Sequence, residues 1–252
     1  MDYSKEYYEV MQNGGYKTLP KAVFKIIGNP IKLIKGITTN EENADKNALI
    51  DNFGKLIVLF DQKLINNEWY VVFEKQFEER FLEHIERFAR LNKSKLEKAD
   101  INVYHIIGKA IETNDVKITQ RIGYLLLIDN FNKDLKEISD EVYNIIRIEN
   151  NISVQGIDFD REMLLNTNWQ DVISFTKGCY LGQEIMARVH NLGQPPKKLV
   201  RILYDKIPEK VTSEGKDVGN ITSNCFSIKY EKYLVFASLP YDLDKVDSGG
   251  ML

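Results

Sequence analysis

The residue best placed for chemistry in this sequence is Cys179, which stands between Gly178 and Gly182 in the run KGCYLGQE, two residues after Lys177. It follows VISFT, which reads as a strand, and precedes GQEIMARV, where Ile185, Met186 and Val189 would give a short helix an apolar side. A nearby ammonium and a helix N-terminus both favour thiolate, so a reactive or ligating thiol is physically reasonable. The competing reading is a buried structural cysteine, which is how most unpaired cysteines behave. Cys225 is the only other cysteine, and both read as thiols rather than as a bridge.

Metal chemistry finds little support. His84, His105 and His190 lie far apart, and no CxxC, HxxxH or HExxH occurs, so no stably bound metal is expected. His84 falls on the charged side of a helix and should face solvent. His105 reads as a satisfied core or interface histidine in a strand, and His190, just past the cysteine helix, could assist the thiol or do nothing. Asp158 and Asp160 in GIDFD suit acid/base work or a turn, and turns are the commoner use of such spacing. Neither GxxxxGK[ST] nor GxGxxG is present, which lowers the weight of nucleotide enzymes. The basic run KKLVR, 197 to 201, can be a solvated surface or touch an anion.

The elements that must position these groups can be read from periodicity. AVFKIIGNP gives a strand followed by Asn29 and Pro30 as helix cap and first residue, with IKLIK stopped at Gly36. ALIDNFGKLIVLFDQKLI and EWYVVFE form a hairpin joined at Asn66 and Asn67. QFEERFLEHIERFARLN puts Phe77, Phe81, Leu82, Ile85, Phe88 and Ala89 on one helical face. INVYHII and IGYLLLI read as strands, and Ser139 caps a helix carrying Val142, Ile145 and Ile146. Residues 150 to 176 look irregular. After two prolines in GQPPKK come four short strand-like runs, LVRILY, DVGNITS, CFSIKY and YLVFASL, then a tail, DSGGML, expected to fray. The class is α+β, with a domain boundary near Pro195 and a β-rich tail that suggests a small β-barrel or sandwich.

A net charge of -3 gives no broad basic field, so direct nucleic-acid binding is not expected. No apolar run reaches the length of a membrane span, and MDYSKEYYEVM is too polar for a signal peptide, so a cytoplasmic location is expected and no membrane partner.

KGCYLGQEIMAR resembles the K-G-C-Y-x-G-Q-E signature of the YgfZ family, folate-binding proteins related to the glycine-cleavage T-protein and implicated in iron-sulfur cluster maturation. The match holds at Lys177, Gly178, Cys179, Tyr180, Gly182, Gln183 and Glu184 and runs on through Ala187 and Arg188. RIENNISVQGIDFD resembles the family's R-x-E-A-G…G-x-D segment, with Arg147, Glu149 and Gly156 in place, and ITTNEEN, NALIDNFGKLIVLF and DVGNITS follow its other stretches. The resemblance implies a three-lobed ring around a folate channel, with residues 1–194 as two interleaved, ferredoxin-like α+β lobes and 195–252 as a small C-terminal β-barrel. It implies Cys179 and Lys177 as the working pair, and Glu149, Arg147, Tyr180, Gln183, Glu184 and Arg188 as contacts to tetrahydrofolate or another reduced folate. Its partners would be iron-sulfur client or assembly proteins, and any link to tRNA modification would be indirect. The T-protein enzymes carry acids where Val58 and Leu59 stand here, so an aminomethyltransferase or methyltransferase is the less favoured alternative, beside a folate-free interaction scaffold. Asn150, Asn151 and Leu192 also depart from the family pattern.

Overall fold

A computed structural model describes residues 3–131 and 135–252. In chain order the elements are α1 (Ser4–Asn13), β1 (Gly15–Leu19), β2 (Lys21–Ile27), α2 (Pro30–Ile37), β3 (Lys46–Ile50), β4 (Leu56–Ile65), β5 (Glu68–Glu74) and α3 (Glu78–Leu91). There follow β6 (Lys95–Ala99), β7 (Asn102–Ile107), β8 (Val116–Thr119), β9 (Tyr124–Ile128), β10 (Lys136–Glu137), α4 (Asp140–Glu149) and α5 (Gln183–Asn191). The chain closes with β11 (Lys197–Tyr204), β12 (Val211–Ser213), β13 (Lys216–Ser227), β14 (Lys232–Pro240) and β15 (Gly249–Met251).

These strands form three five-stranded sheets, ordered β3-β4-β5-β2-β6, β10-β1-β7-β9-β8 and β12-β13-β14-β11-β15. The first carries α2 and α3 on one face: Leu33, Ile34, Phe81 and Ile85 bury themselves against Phe24, Val58, Phe60 and Phe73. The Phe73 and Phe81 rings lie 4.5 Å apart and Phe24 and Phe81 5.3 Å, within range of favourable aromatic contact. The opposite face meets the second sheet, where Val23 and Val72 pack with Val103, Leu125 and Leu127. The third sheet curls into a half-barrel. Its edge strands meet through Asp247, whose N–H donates to the Thr212 carbonyl at 2.8 Å and whose carboxylate accepts the Glu214 and Gly215 N–H groups at 3.0 Å. One hydrophobic cluster joins its Leu199, Leu234 and Phe236 to Val142, Ile145 and Ile146 of α4.

Asn66 and Asn67 do form the hairpin turn, with φ of 50° and 62°, the backbone a two-residue turn needs at both positions. Ser139 caps α4, its hydroxyl accepting the Val142 N–H at 3.4 Å. Other expectations are corrected. ALIDNFGKLIVLFDQKLI is not one strand: the Asp51 carboxylate accepts the N–H groups of Phe53 and Lys55 at 2.8 and 2.9 Å, folding a turn that separates β3 from β4. Gly36 lies within α2, which closes at Thr38, whose hydroxyl donates to the Ile34 carbonyl. The Asn29 side chain donates to the Asn92 carbonyl rather than capping that helix. DVGNITS and the first three residues of CFSIKY share one long strand, β13, with a register shift between Ile221 and Ser223, and Ile228 to Tyr230 turn into β14. DSGGML adds β15 to the sheet beside β11, and VISFT is a short 3-10 turn and irregular backbone, not a strand. Among the described residues no helix is long and apolar enough to cross a membrane.

Gly182 joins these elements at the cysteine loop. Its φ of +82° is left-handed, and a Cβ there would stand 2.4 Å from the Asp51 carbonyl. Gly182→Ala should therefore cost about 2–3 kcal/mol of stability. Urea denaturation measures this, and an unchanged midpoint would contradict the close packing of the cysteine loop on the β3–β4 turn.

Candidate functional site

Where the first two sheets meet α4 there is a cavity of about 340 Å³, lined by residues of every one of these elements. Strand alternation determines what β4 contributes. Val58 and Phe60 point into the helix-covered core, while Leu59 and Asp61 line the cavity. Asp61 is 2% exposed, and its Oδ1 receives Lys46 Nζ at 2.5 Å and Gln120 Nε2 at 3.0 Å. Lys21 stands 3.8 Å from its Oδ2 and 2.6 Å from Glu74. Burial opposes the Asp61 charge, but Lys46 and Lys21 outweigh it and hold the carboxyl below its usual range. Burial likewise pushes Lys46 down, with Asp61 pulling the other way, whereas Glu74 and Asp61 overcome burial at Lys21 and raise it. Trp169 forms a further wall, with Lys46 Nζ 4.6 Å and the Arg121 guanidinium 3.7 Å from its ring centroid.

Sequence reasoning missed this cluster. The available signal was a charged residue, Asp61, inside the strand run LIVLFDQ, since carboxylates are almost never fully buried unless paired. His105 is buried as expected and also lines the cavity: Nε2–H donates to the Ile122 carbonyl at 2.7 Å, and Nδ1 accepts the Tyr143 hydroxyl at 2.9 Å. Both bonds suit a neutral ring.

The residues expected to hold folate divide into two groups. Arg147 lines the cavity, yet its guanidinium donates to Asn144, Asp158, the Ile152 carbonyl and Ser223, at 2.8–3.3 Å. Asp158 is a buried structural carboxylate in this network, also accepting the Val154 N–H at 2.8 Å, while Asp160 pairs with Arg80 at 2.7 Å. Glu149, one turn-end beyond Arg147, does not line the cavity. Its oxygens accept Tyr7 at 2.6 Å, Ser227 at 2.5 Å and the Lys229 N–H at 3.0 Å, beside a buried Cys225 whose thiol burial pushes up to about 12.

Tyr180, Gln183, Glu184 and Arg188 lie at the cysteine loop and α5, away from the cavity. Cys179 is exposed, in a shallow groove with Lys32, Lys35 and Ile37 of α2, Phe88 of α3 and Asn92 just past its end; groove and cavity share no lining residue. Lys177 is buried, and its ammonium donates to the carbonyls of Ile34, Thr38 and Asn40 at 3.2, 2.7 and 2.8 Å. Burial pushes it down to about 8, against Glu41 and Glu42. Tyr180 is buried with its hydroxyl unpartnered, and burial pushes that hydroxyl up to about 12. Gln183 accepts the Tyr180 N–H at 3.3 Å, and Glu184 and Arg188 form an exposed pair 4.0 Å apart. His190 stacks on Phe175 at 4.0 Å. His84 is not fully solvent-facing: it is half-buried, with Nε2 shielded and unpartnered, and burial lowers its pKa against the pull of Asp51. Among the described residues no three His, Cys, Asp or Glu side chains cluster as metal ligands.

No family model matches the chain. Over 66 residues it is 33% identical to the mitochondrial iron-sulfur cluster assembly factor IBA57 homolog of Mycosarcoma maydis, covering 25% of this chain and 16% of that protein. Over 63 residues it is 39% identical to the mitochondrial iron-sulfur cluster assembly factor IBA57 of Homo sapiens, covering 21% of this chain and 18% of that protein. The fold matches the glycine cleavage system aminomethyltransferase T from Bartonella henselae with a TM-score of 0.79 and 10% identity, covering 94% of this chain and 81% of that one. The fold is that of the aminomethyltransferase T. The chain has the α+β architecture of the T-protein over nearly its whole length, while its alignment to the curated relatives spans less than a fifth of theirs.

Burial lowers the His105 pKa from 6.5 to about 4, against the Ile122 hydrogen bond and Asp61. The unfolded chain then binds the proton more readily, so stability falls as pH drops from about 6.5 to 4, by up to about 3 kcal/mol. Unfolding midpoints across that window should show the loss in the wild type and less of it in His105→Gln. Parallel curves for the two proteins would contradict a buried neutral imidazole.

Proposed function

We propose that this chain binds a reduced folate in the cavity and supports iron-sulfur cluster assembly or repair, with Cys179 as the thiol that acts. The observation that carries the folate reading is the cavity's donor set on a T-protein fold. Folate is a flat heterocycle bearing N–H donors and an acidic tail, and the cavity offers a carboxylate at Asp61, cations at Lys46 and Lys21, and the apolar surfaces of Leu59 and Trp169. Its volume of about 340 Å³ lies at the lower end of small-molecule sites. A bound folate would supply a carrier for one-carbon groups; the chain's own contribution is to orient it and exclude water.

Leu59 occupies the cavity-facing place on β4, and with Val58 in the core neither position offers a group to accept or deliver a proton. This favours a maturation factor over an aminomethyltransferase. The cluster-assembly reading draws on the names of the two relatives, and the exposure of Cys179 makes the thiol available to iron-sulfur client or assembly proteins. Two unpaired cysteines suit a cytosolic or other reducing compartment. One observation favours the folate-free scaffold: Glu149 and Arg147, the expected folate contacts, already have protein partners for their polar groups.

Thermal unfolding with tetrahydrofolate separates these readings, since a ligand at 100 times its dissociation constant stabilises by about 2.7 kcal/mol. The melting temperature should rise, and the rise should vanish in Lys46→Ala. Cys179→Ser should keep the folate-dependent rise while failing to complement a strain lacking its own family member. No rise at millimolar folate would favour the scaffold, and full complementation by Cys179→Ser would remove the thiol from the mechanism.

A further inference from the structure

The sequence invites a reading in which Lys177 tunes the thiol, but its ammonium is held elsewhere. It sits in a cage of oxygens at the C-terminal end of α2, donating to the carbonyls of Ile34, Thr38 and Asn40, with the Thr38 hydroxyl at 3.4 Å. Carbonyls at a helix C-terminus attract a cation, so this contact fastens the loop that bears Cys179 to the 38–40 turn. The same loop is tied to α2 and the turn by the Leu181 N–H on the Gly36 carbonyl at 3.2 Å and the Ser174 N–H on the Thr39 carbonyl at 2.8 Å.

The 38–40 turn is in turn gripped from β3. Asn47 is wholly buried; its amide donates to the Thr38 hydroxyl and the Asn40 carbonyl at 3.0 and 3.1 Å, and its Oδ1 accepts the Asn40 N–H at 2.7 Å. Its neighbour on β3 is Lys46, whose side chain lines the cavity and meets Asp61. The Asn40 side chain also donates to the Lys46 carbonyl at 3.2 Å, so polar contacts run from the cysteine loop through the 38–40 turn to the backbone of this cavity residue, although groove and cavity share no residue.

We propose that Lys177 is a positioning residue that couples the cavity to Cys179, its ammonium holding the cysteine loop on a turn whose other anchor, Asn47, adjoins the cavity residue Lys46. The coupling rests on the reading that the cavity binds a folate; the tether does not. The two states are the loop fastened and the loop released, and a ligand that fixes Lys46 favours the first. Linkage makes the effect reciprocal, so modification of the thiol that favours the released loop weakens the ligand by the same factor.

The first measurement is hydrogen exchange without ligand. In Lys177→Met the amides of Ser174 and Leu181 should exchange at least about tenfold faster than in the wild type, with β14 unchanged, and wild-type rates there would overturn the tether. The second is alkylation of Cys179 by iodoacetamide. Tetrahydrofolate should slow it about fivefold in the wild type and not in Lys177→Met, even though that variant keeps its folate-dependent melting shift. Equal slowing in both proteins, or none in a wild type that binds folate, would overturn the coupling. A wild type with no folate shift would instead remove the folate reading, leaving hydrogen exchange to decide the tether. If Lys177→Met does not fold, the wild type alone gives the answer: alkylated protein should bind tetrahydrofolate about fivefold more weakly, and unchanged affinity would overturn the coupling.

Discussion

A charge taken out of water has to be met by an opposite charge or by dipoles, because an unpaired ion in the interior costs several kcal/mol. Three buried ionic groups meet that demand here in three different ways, and each one ties together parts of the chain that are distant in sequence. Asp61 is met by two lysines and an amide, from β2, β3 and the turn before β9. Arg147 is met by a carboxylate and a hydroxyl, joining α4 to the 150–160 segment and to β13. Lys177 is met chiefly by backbone dipoles, joining the cysteine loop to α2.

These solutions explain why the two places with chemical potential are separate. The apolar faces of the first two sheets close on each other through Val23, Val72 and Leu125, and the polar residues they cannot bury collect beside α4 as the cavity wall. The thiol lies in a shallow groove between the cysteine loop, α2 and the end of α3, and Gly182 packs that loop against the β3–β4 turn. The first place is walled by paired charges and the Trp169 ring, and the second is open to solvent.

The relation to the aminomethyltransferase fold has a similar physical reading. At 10% identity the two chains share a fold rather than side chains. Leu59 faces the cavity on β4 with an aliphatic side chain, and two residues along the same face Asp61 carries a carboxylate held by lysines. The site's polarity is thus concentrated at Asp61 and its partners.

Much of this was legible from local rules. The apolar stripe of α3, the Asn66–Asn67 hairpin, the Ser139 cap and the KGCYLGQE loop ahead of a helix all depend on residues a few positions apart, whose spacing the sequence states directly. The boundaries that sequence reading misjudged, at Asp51, Gly36 and the last six residues, were decided by an aspartate turn, a threonine cap and a vacant sheet edge beside β11. What the sequence by itself determined was the elements and the exceptional cysteine, because periodicity and turn chemistry act over short range. Only the tertiary structure decided that Asp61 would be held by Lys21 and Lys46, that Glu149 would be engaged by Tyr7 and Ser227, and that Lys177 would face a helix end. Each of those partners arrives through strand pairing or loop packing across tens of residues, and a buried charge accepts whichever donor the fold brings within hydrogen-bonding distance.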